Sequence, residues 1–240
     1  DLAIPKGTMR FLKVLSERST SIGVRGYYTA ELLDRNGIRN VHVTGCPSIF
    51  WHMNPGFSMP RFKEKPDGSR LAIHATPSGY YRDVIASLFA FAIRHQAEYI
   101  LQNEHHIVPA IDTQHAPDGQ ELEKFRFFAS YYKSGLTTEA DMQEWLRSKS
   151  RIFFSIDEWV RHLQTRSLVV GARFHGNVAA LLAGVRNLTM VFDTRTREMC
   201  EYANLPYILL QDFHENTTLE ELSDIADFSA FNAGYEYKYH

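Results

Sequence analysis

The sequence predicts an α/β protein built on a Rossmann-like parallel sheet, and three observations predict it. Between residues 151 and 211, short apolar runs of strand type alternate with helical patterns. Repeated β-α-β at that interval implies parallel strands joined by right-handed crossovers. Residues 20–44 carry a separate β-α-β pattern of their own. The apolar run Leu168–Gly171 ends in Gly171-Ala172-Arg173-Phe174-His175-Gly176 and passes at once into a helix of small residues. In an open α/β sheet that junction lies at the carboxyl end of a strand, where ligands bind.

The elements follow in order. Residues 20–24 read as a strand, 28–36 as a helix stopped by Gly37, and 40–44 as a second strand. Asn-Gly is the usual left-handed end of a helix. Gly45-Cys46-Pro47-Ser48 breaks that strand, and residues 51–67, rich in Pro, Gly and Met without a sustained period, read as a linker. A second sheet begins at 70–74. A helix over 79–95 places Val84, Ile85, Leu88, Phe89 and Ala92 at buried-face spacing. Residues 99–102 form the next strand, 109–119 an exposed loop, and 121–132 and 138–148 two helices, the aromatic cluster from Phe125 to Tyr132 being a packed face. After a strand at 151–154, Ser155-Ile156-Asp157-Glu158 reads as a capping box opening a helix with Ile156, Trp159, Val160 and Leu163. Strand Leu168–Gly171, helix 176–183, strand 188–192, helix 196–204 and strand 207–210 complete the alternation. Thr218-Leu219-Glu220-Glu221 caps a final helix, and residues 228–240 are an aromatic and polar tail with no assigned element.

At 240 residues, 44% hydrophobic and 22% charged, the chain has ordinary globular composition and room for one large domain or two small ones. A formal charge of −2 leaves no basic footprint for nucleic acid. The two cysteines, Cys46 and Cys200, fall in different units, so reduced thiols are expected rather than a disulfide. No apolar run approaches the roughly 20 residues that a membrane span needs. The start, Asp1-Leu2-Ala3-Ile4-Pro5-Lys6, lacks the form of a signal peptide.

The chemistry concentrates at the third observation. Arg173 and His175 stand beside the free N–H groups of a helix start, which favours a phosphate or carboxylate, with Phe174, Gly176 and Asn177 completing the cradle. Arginine binds either anion bidentately, and histidine titrates nearest neutrality. Arg195 and Arg197 follow the next strand as further anion ligands, with Asp193 or Thr194 capping their helix. His74 and Glu104 occupy the same rim by topology. The structural alternatives are an Arg173–carboxylate pair, a His175 that only caps its helix, and solvated or paired Arg195 and Arg197. His105 and His106, read as neighbours on an extended segment, point opposite ways and suit no shared metal. No Cys-x-x-Cys or His-Glu-x-x-His is present, so neither a metal nor an organic cofactor is expected. Arg173 and Phe174 also stand where a dinucleotide fingerprint would need glycines.

Two segments together resemble the polysaccharide pyruvyl transferase family. One runs Ser21-Ile22-Gly23-Val24-Arg25-Gly26-Tyr27-Tyr28 and on through Val43-Thr44-Gly45-Cys46-Pro47-Ser48. The other runs Val169-Val170-Gly171-Ala172-Arg173-Phe174-His175-Gly176 and on through Phe192-Asp193-Thr194-Arg195-Thr196-Arg197-Glu198. The resemblance implies a two-lobed, GT-B-like glycosyltransferase architecture with the first lobe truncated. Residues 1–50 would be the remnant of that lobe, 51–68 a linker, 69–215 the donor-binding domain and 216–240 a C-terminal helix and tail. It implies transfer of a pyruvyl group from phosphoenolpyruvate to a sugar of a cell-surface polysaccharide or its precursor, in the bacterial cytosol. The partners are then a small donor and a saccharide acceptor. It also implies a second donor arginine, Arg25, from the other lobe, and His175 as acid, base or phosphate ligand.

Two rival readings stay open. A nucleotide-sugar glycosyltransferase would need a carboxylate on the ribose, for which Glu198 and Glu201 are candidates. A non-catalytic sugar- or anion-binding fragment would bind without releasing phosphate.

Overall fold

The computed structural model describes residues 4–75, 77, 79–112 and 116–240. Its first unit comprises α1 (Lys6–Arg18), β1 (Ile22–Val24), α2 (Tyr27–Arg35) and β2 (Val41–Val43). β1 and β2 pair in parallel, with Ile22 opposite Val41. Val24, Leu33 and Ile38 form the small core beneath them. The sequence pattern does not announce α1, and the reason is visible: the helix buries none of its residues.

The second unit contains β3 (Leu71–His74), α3 (Arg82–Arg94), β4 (Glu98–Leu101), α4 (Val108–Ile111), α5 (Gly119–Ala129), α6 (Glu139–Lys149) and β5 (Ser150–Ile152). It continues through α7 (Ile156–Leu163), β6 (Leu168–Gly171), α8 (Phe174–Leu182), β7 (Asn187–Val191), α9 (Thr194–Ala203), β8 (Tyr207–Leu209), α10 (Leu219–Ile225) and α11 (Ser229–Tyr239). Its six strands are all parallel, in the order β5-β4-β3-β6-β7-β8. Numbered within this sheet the order is 3-2-1-4-5-6, the doubly wound arrangement in which the strand order reverses between β3 and β6. Every residue of β3, β4, β6 and β7 is buried, as expected of strands covered by helices on both faces. Phe89, Tyr99, Phe128 and Trp145 pack together on one face, and Trp145 Nε1 donates to the Ala97 carbonyl at 2.8 Å.

Several expectations need correction. Residues 51–67 hold no regular element, but they are a strap rather than a free linker. Met59 is buried among α8 and α11 side chains, and its backbone N–H donates to Asn232 Oδ1 at 2.8 Å while its carbonyl accepts from Asn232 Nδ2 at 3.0 Å. Arg186 donates to the Phe62 and Glu64 carbonyls and lies over the Phe62 ring. The strap's irregular backbone is thus satisfied by side chains, which no periodicity reveals. The aromatic tail forms α11, with Phe231 and Tyr235 buried against that strap, so α10 is not the final helix. Within the expected loop 109–119, α4 reaches Ile111 and Gly119 begins α5 behind an Asp118–Glu121 capping box; residues 113–115 of that expectation lie outside the described residues. Ser155 makes no capping hydrogen bond, whereas Thr138 and Thr218 do. The buried side of α3 is also wider than the predicted stripe, taking in Ala86, Ser87, Ala90 and Phe91.

The two units are joined by α9. Glu198, buried on that helix, accepts hydrogen bonds from the Thr29 backbone N–H at 3.0 Å and its hydroxyl at 2.7 Å. It thereby supplies the acceptor that the start of α2 lacks, since its N-cap, Gly26, has no side chain to give one. A Cβ on Gly26 would collide with Glu198, and one on Gly45, whose φ is +66°, with the Tyr202 ring. Glu198→Ala is therefore expected to destabilise the fold by about 1–2 kcal/mol. Chemical denaturation would measure that loss, and hydrogen exchange should rise first at the amides of α2.

Candidate functional site

The crevice at the carboxyl ends of β3 and β6 is where this strand order places a ligand. β3 ends in His74 and β6 in Gly171, and these two residues are direct register partners. Arg173 is the N-cap of α8, so the helix opens into the same space with no side-chain acceptor on its first N–H groups. α9 opens alongside it, capped by Asp193, whose carboxylate accepts from Thr196 N–H at 2.6 Å. A cavity of about 190 Å³ lies between the two helix starts, lined by Gln102, Arg173, Phe174, His175, Asp193, Arg195, Thr196 and Met199 among others.

Arg173 is held along one edge. Its Nε donates to the Ala75 carbonyl at 2.8 Å, and its Nη2 bonds to both Asn103 Oδ1 and Glu104 Oε1. Glu104 is only 2% exposed, and its other oxygen accepts from the Gln102 and Asn103 backbone N–H groups. The expected Arg173–carboxylate pair therefore exists, but it leaves Nη1 for a ligand. Glu104 serves to hold that guanidinium and is not itself open to an acceptor. Such a pair is strongly destabilised by loss of one partner, because the other charge stays buried alone.

His74 lies beneath this arrangement, 1% exposed. Its Nδ1 accepts from the Arg173 backbone N–H at 3.3 Å. Burial pushes the imidazole down to about 3, the Arg173 charge adds to this, and Asn177 partly opposes it. His74 is therefore neutral and positions the strand end, rather than touching substrate from the rim. Gly176 admits this packing: a Cβ there would lie 2.6 Å from both His74 Nε2 and Gln102 Nε2. Asn177 is buried and donates to the Gly171 carbonyl at 2.9 Å, so it secures the turn. Phe174 is likewise buried, in the cluster shared with the strap.

The remaining cations separate clearly. Arg195 is exposed, lines the cavity and makes no ion pair among the described residues. Arg25, just past β1, is also exposed and reaches over Met199, with Nη1 3.9 Å from its sulfur; Met199 lines the cavity. Arg197 is committed to Glu201 at 2.8 Å and borders a different hollow of about 620 Å³ beside β8, away from the cavity between the two helix starts. Glu198 and Glu201, the candidates for gripping a ribose, are occupied by Thr29 and by Arg197 with Tyr207.

His175 is exposed at the cavity mouth, and its Nε2 lies 3.7 Å from Cys46 Sγ. Cys46, 2% exposed, also contacts Ser48 Oγ at 3.1 Å. Burial pushes the Cys46 thiol up, but the hydrogen bonds from His175 and Ser48 outweigh it and bring the thiol down to about 7. The sequence places Cys46 in a strand-breaking segment that also carries the family resemblance, and as a reduced thiol, but assigns it no role in the site. The available signal was its position: like Arg25 and Arg173, it follows the carboxyl end of a parallel strand. His105 begins a 3-10 turn rather than an extended segment, and the side chain of His106 lies outside the described residues. Among the described residues no group of three His, Cys, Asp or Glu side chains could hold a metal ion. No helix among them is long and apolar enough to cross a membrane.

Because burial lowers the folded-state value of His74, the unfolded chain takes up that proton first. Its contribution to stability is complete above about pH 6.5 and declines on acidification toward about pH 3. The melting temperature should fall between about pH 7 and about pH 4, and His74→Gln should flatten that slope. Thermal melts across the range would measure the difference, and parallel slopes would contradict it.

Comparison with known proteins follows this geometry. A family model described as polysaccharide pyruvyl transferase matches residues 3–193. No curated protein matches the sequence. A solved structure described as the glycotransferase of kitacinnamycin resembles the chain at 10% identity with a TM-score of 0.36, over 97% of this chain and 61% of that one.

Proposed function

Since this chain belongs to the polysaccharide pyruvyl transferase family, we propose that it transfers a pyruvyl group from phosphoenolpyruvate to two hydroxyls of a sugar in a cell-surface polysaccharide precursor, in the cytosol. The observation that carries the reading is the small cavity between two helix starts, with Arg195 uncommitted at its wall and His175 at its mouth. At about 190 Å³ it suits a compact three-carbon anion.

The residues divide the work as follows. Arg173 presents Nη1 from a fixed edge, Arg195 supplies exposed positive charge, and the first N–H groups of α8 meet phosphate or carboxylate. Arg25 belongs to the smaller unit, so donor charge draws the two units together. His175 takes the proton of the first sugar hydroxyl as its oxygen bonds to the central carbon of the donor. The same proton passes to the methylene carbon, whose π pair becomes the new C–H bond of a methyl group. The second hydroxyl oxygen then bonds to the central carbon as its link to phosphate breaks, and the departing proton leaves on phosphate. The atoms balance without a metal or an oxidant.

Phosphoenolpyruvate at about tenfold excess over its Kd should raise the melting temperature by about 3–6 °C. Arg195→Ala should remove most of that rise without lowering the unliganded melting temperature, because Arg195 makes no ion pair. Uridine diphosphate should give no rise. A rise with uridine diphosphate alone would favour a nucleotide-sugar enzyme, and donor binding without phosphate release across a panel of hexosides would favour a binding fragment.

A further inference from the structure

Cys46 and His175 come from different units of the fold. Cys46 follows β2 of the smaller unit, and His175 stands in the first turn of α8. Their contact joins Sγ to Nε2 at 3.7 Å, with Ser48 Oγ on the sulfur at 3.1 Å. The sulfur is almost wholly enclosed, whereas the ring lies open at the cavity mouth. With Nε2 engaged by sulfur, Nδ1 is the ring nitrogen left for a substrate proton.

We propose that Cys46 is a positioning residue for His175: as a thiolate it accepts the Nε2 proton, fixes the tautomer with Nδ1 open, and balances the imidazolium formed when Nδ1 takes a hydroxyl proton. A buried carboxylate performs the same task for the histidine of a serine-hydrolase triad. Here a sulfur does so, and Ser48 Oγ–H steadies its charge. No bond to sulfur forms or breaks: the proton enters at Nδ1, leaves from Nδ1, and the Nε2 proton stays shared with the thiolate. The role rests on the pyruvyl-transfer reading; the thiol–imidazole coupling does not.

The surrounding charges favour the ionised pair. Arg173 stands at the start of the same helix, Asp193 and Arg195 at the start of α9, and Arg25 beyond β1. Asp193 is engaged by Thr196 N–H, and Tyr202 presses on Gly45 beside the cysteine. Glu104 balances Arg173, which leaves Arg195 and Arg25 against Asp193, a small excess of positive charge. Burial raises the thiol, and the hydrogen bonds from His175 and Ser48 lower it further, to about 7. Cys200 is held up at about 12 by burial, so one thiol alone ionises between about pH 5 and about pH 9.

Thiolate absorbance near 240 nm, followed against pH in the intact chain, tests the coupling without any donor. The wild type should show a single step near pH 7, Cys46→Ser should show none, and His175→Gln should move the step up by about one pH unit or more. A wild-type step near pH 9, or one that His175→Gln leaves in place, overturns the proposal. Phosphate release then tests the role. In Cys46→Ser the kcat should fall about 10–100-fold with little change in the donor KM, and the rise of rate through neutral pH should vanish. Wild-type kcat and pH profile in that variant overturn the positioning role. If the wild type releases no phosphate with any acceptor, pyruvyl transfer fails as a function, and the absorbance step still decides the coupling.

Discussion

The ion pair between Arg173 and Glu104 is the constraint on which the site is built. Glu104 is enclosed at the end of β4, anchored by two backbone N–H groups, and can be stable as a carboxylate only with a cation against it. That requirement fixes the guanidinium, which in turn fixes the direction in which α8 leaves β6. Neutral His74 completes the fixture from below, accepting from the Arg173 N–H instead of adding a competing charge. The inner edge of the cavity is therefore shaped by groups that have already been desolvated, and a ligand meets there a guanidinium whose orientation needs no further ordering.

Charge around the cavity is graded. The inner arginine is balanced by a carboxylate, while Arg195 and Arg25 on the outer side have none among the described residues. Under the proposed reading, the outer pair would attract a dianion and the inner arginine would orient it. Arg197, only two positions further along α9, does not line this cavity: the helix turns it toward Glu201. Helical periodicity, not composition, decides which arginine faces the ligand.

Much of this was legible before coordinates. Strand Leu168–Gly171 and the small-residue helix after it stand where the apolar run and Gly-rich junction put them, because a fully buried parallel strand needs continuous apolar residues and a close helix needs small ones. The parallel order of the larger sheet followed from alternation alone. What could not be read was partnership across long separations. Glu198 looked like a ligand-binding carboxylate, but its partner is Thr29 in another unit. Residues 51–67 read as a linker, but Asn232 satisfies the backbone of Met59 within them from near the other end of the chain. Cys46 read only as a reduced thiol, but His175 stands beside it. Each of these depends on where a distant side chain arrives, and local pattern carries no record of that.

The face that α9 turns toward the smaller unit imposes a lasting restriction on both partners. Glu198 and Tyr202, one turn apart, press on Gly26 and Gly45, where even a methyl group would intrude and where one backbone is left-handed. During sequence drift, neither glycine can be replaced first without disturbing the join. A smaller residue at 198 or 202 would have to arise beforehand, and it would loosen the same join. These four positions are therefore epistatically tied, and relatives that diverge here should have changed them in pairs.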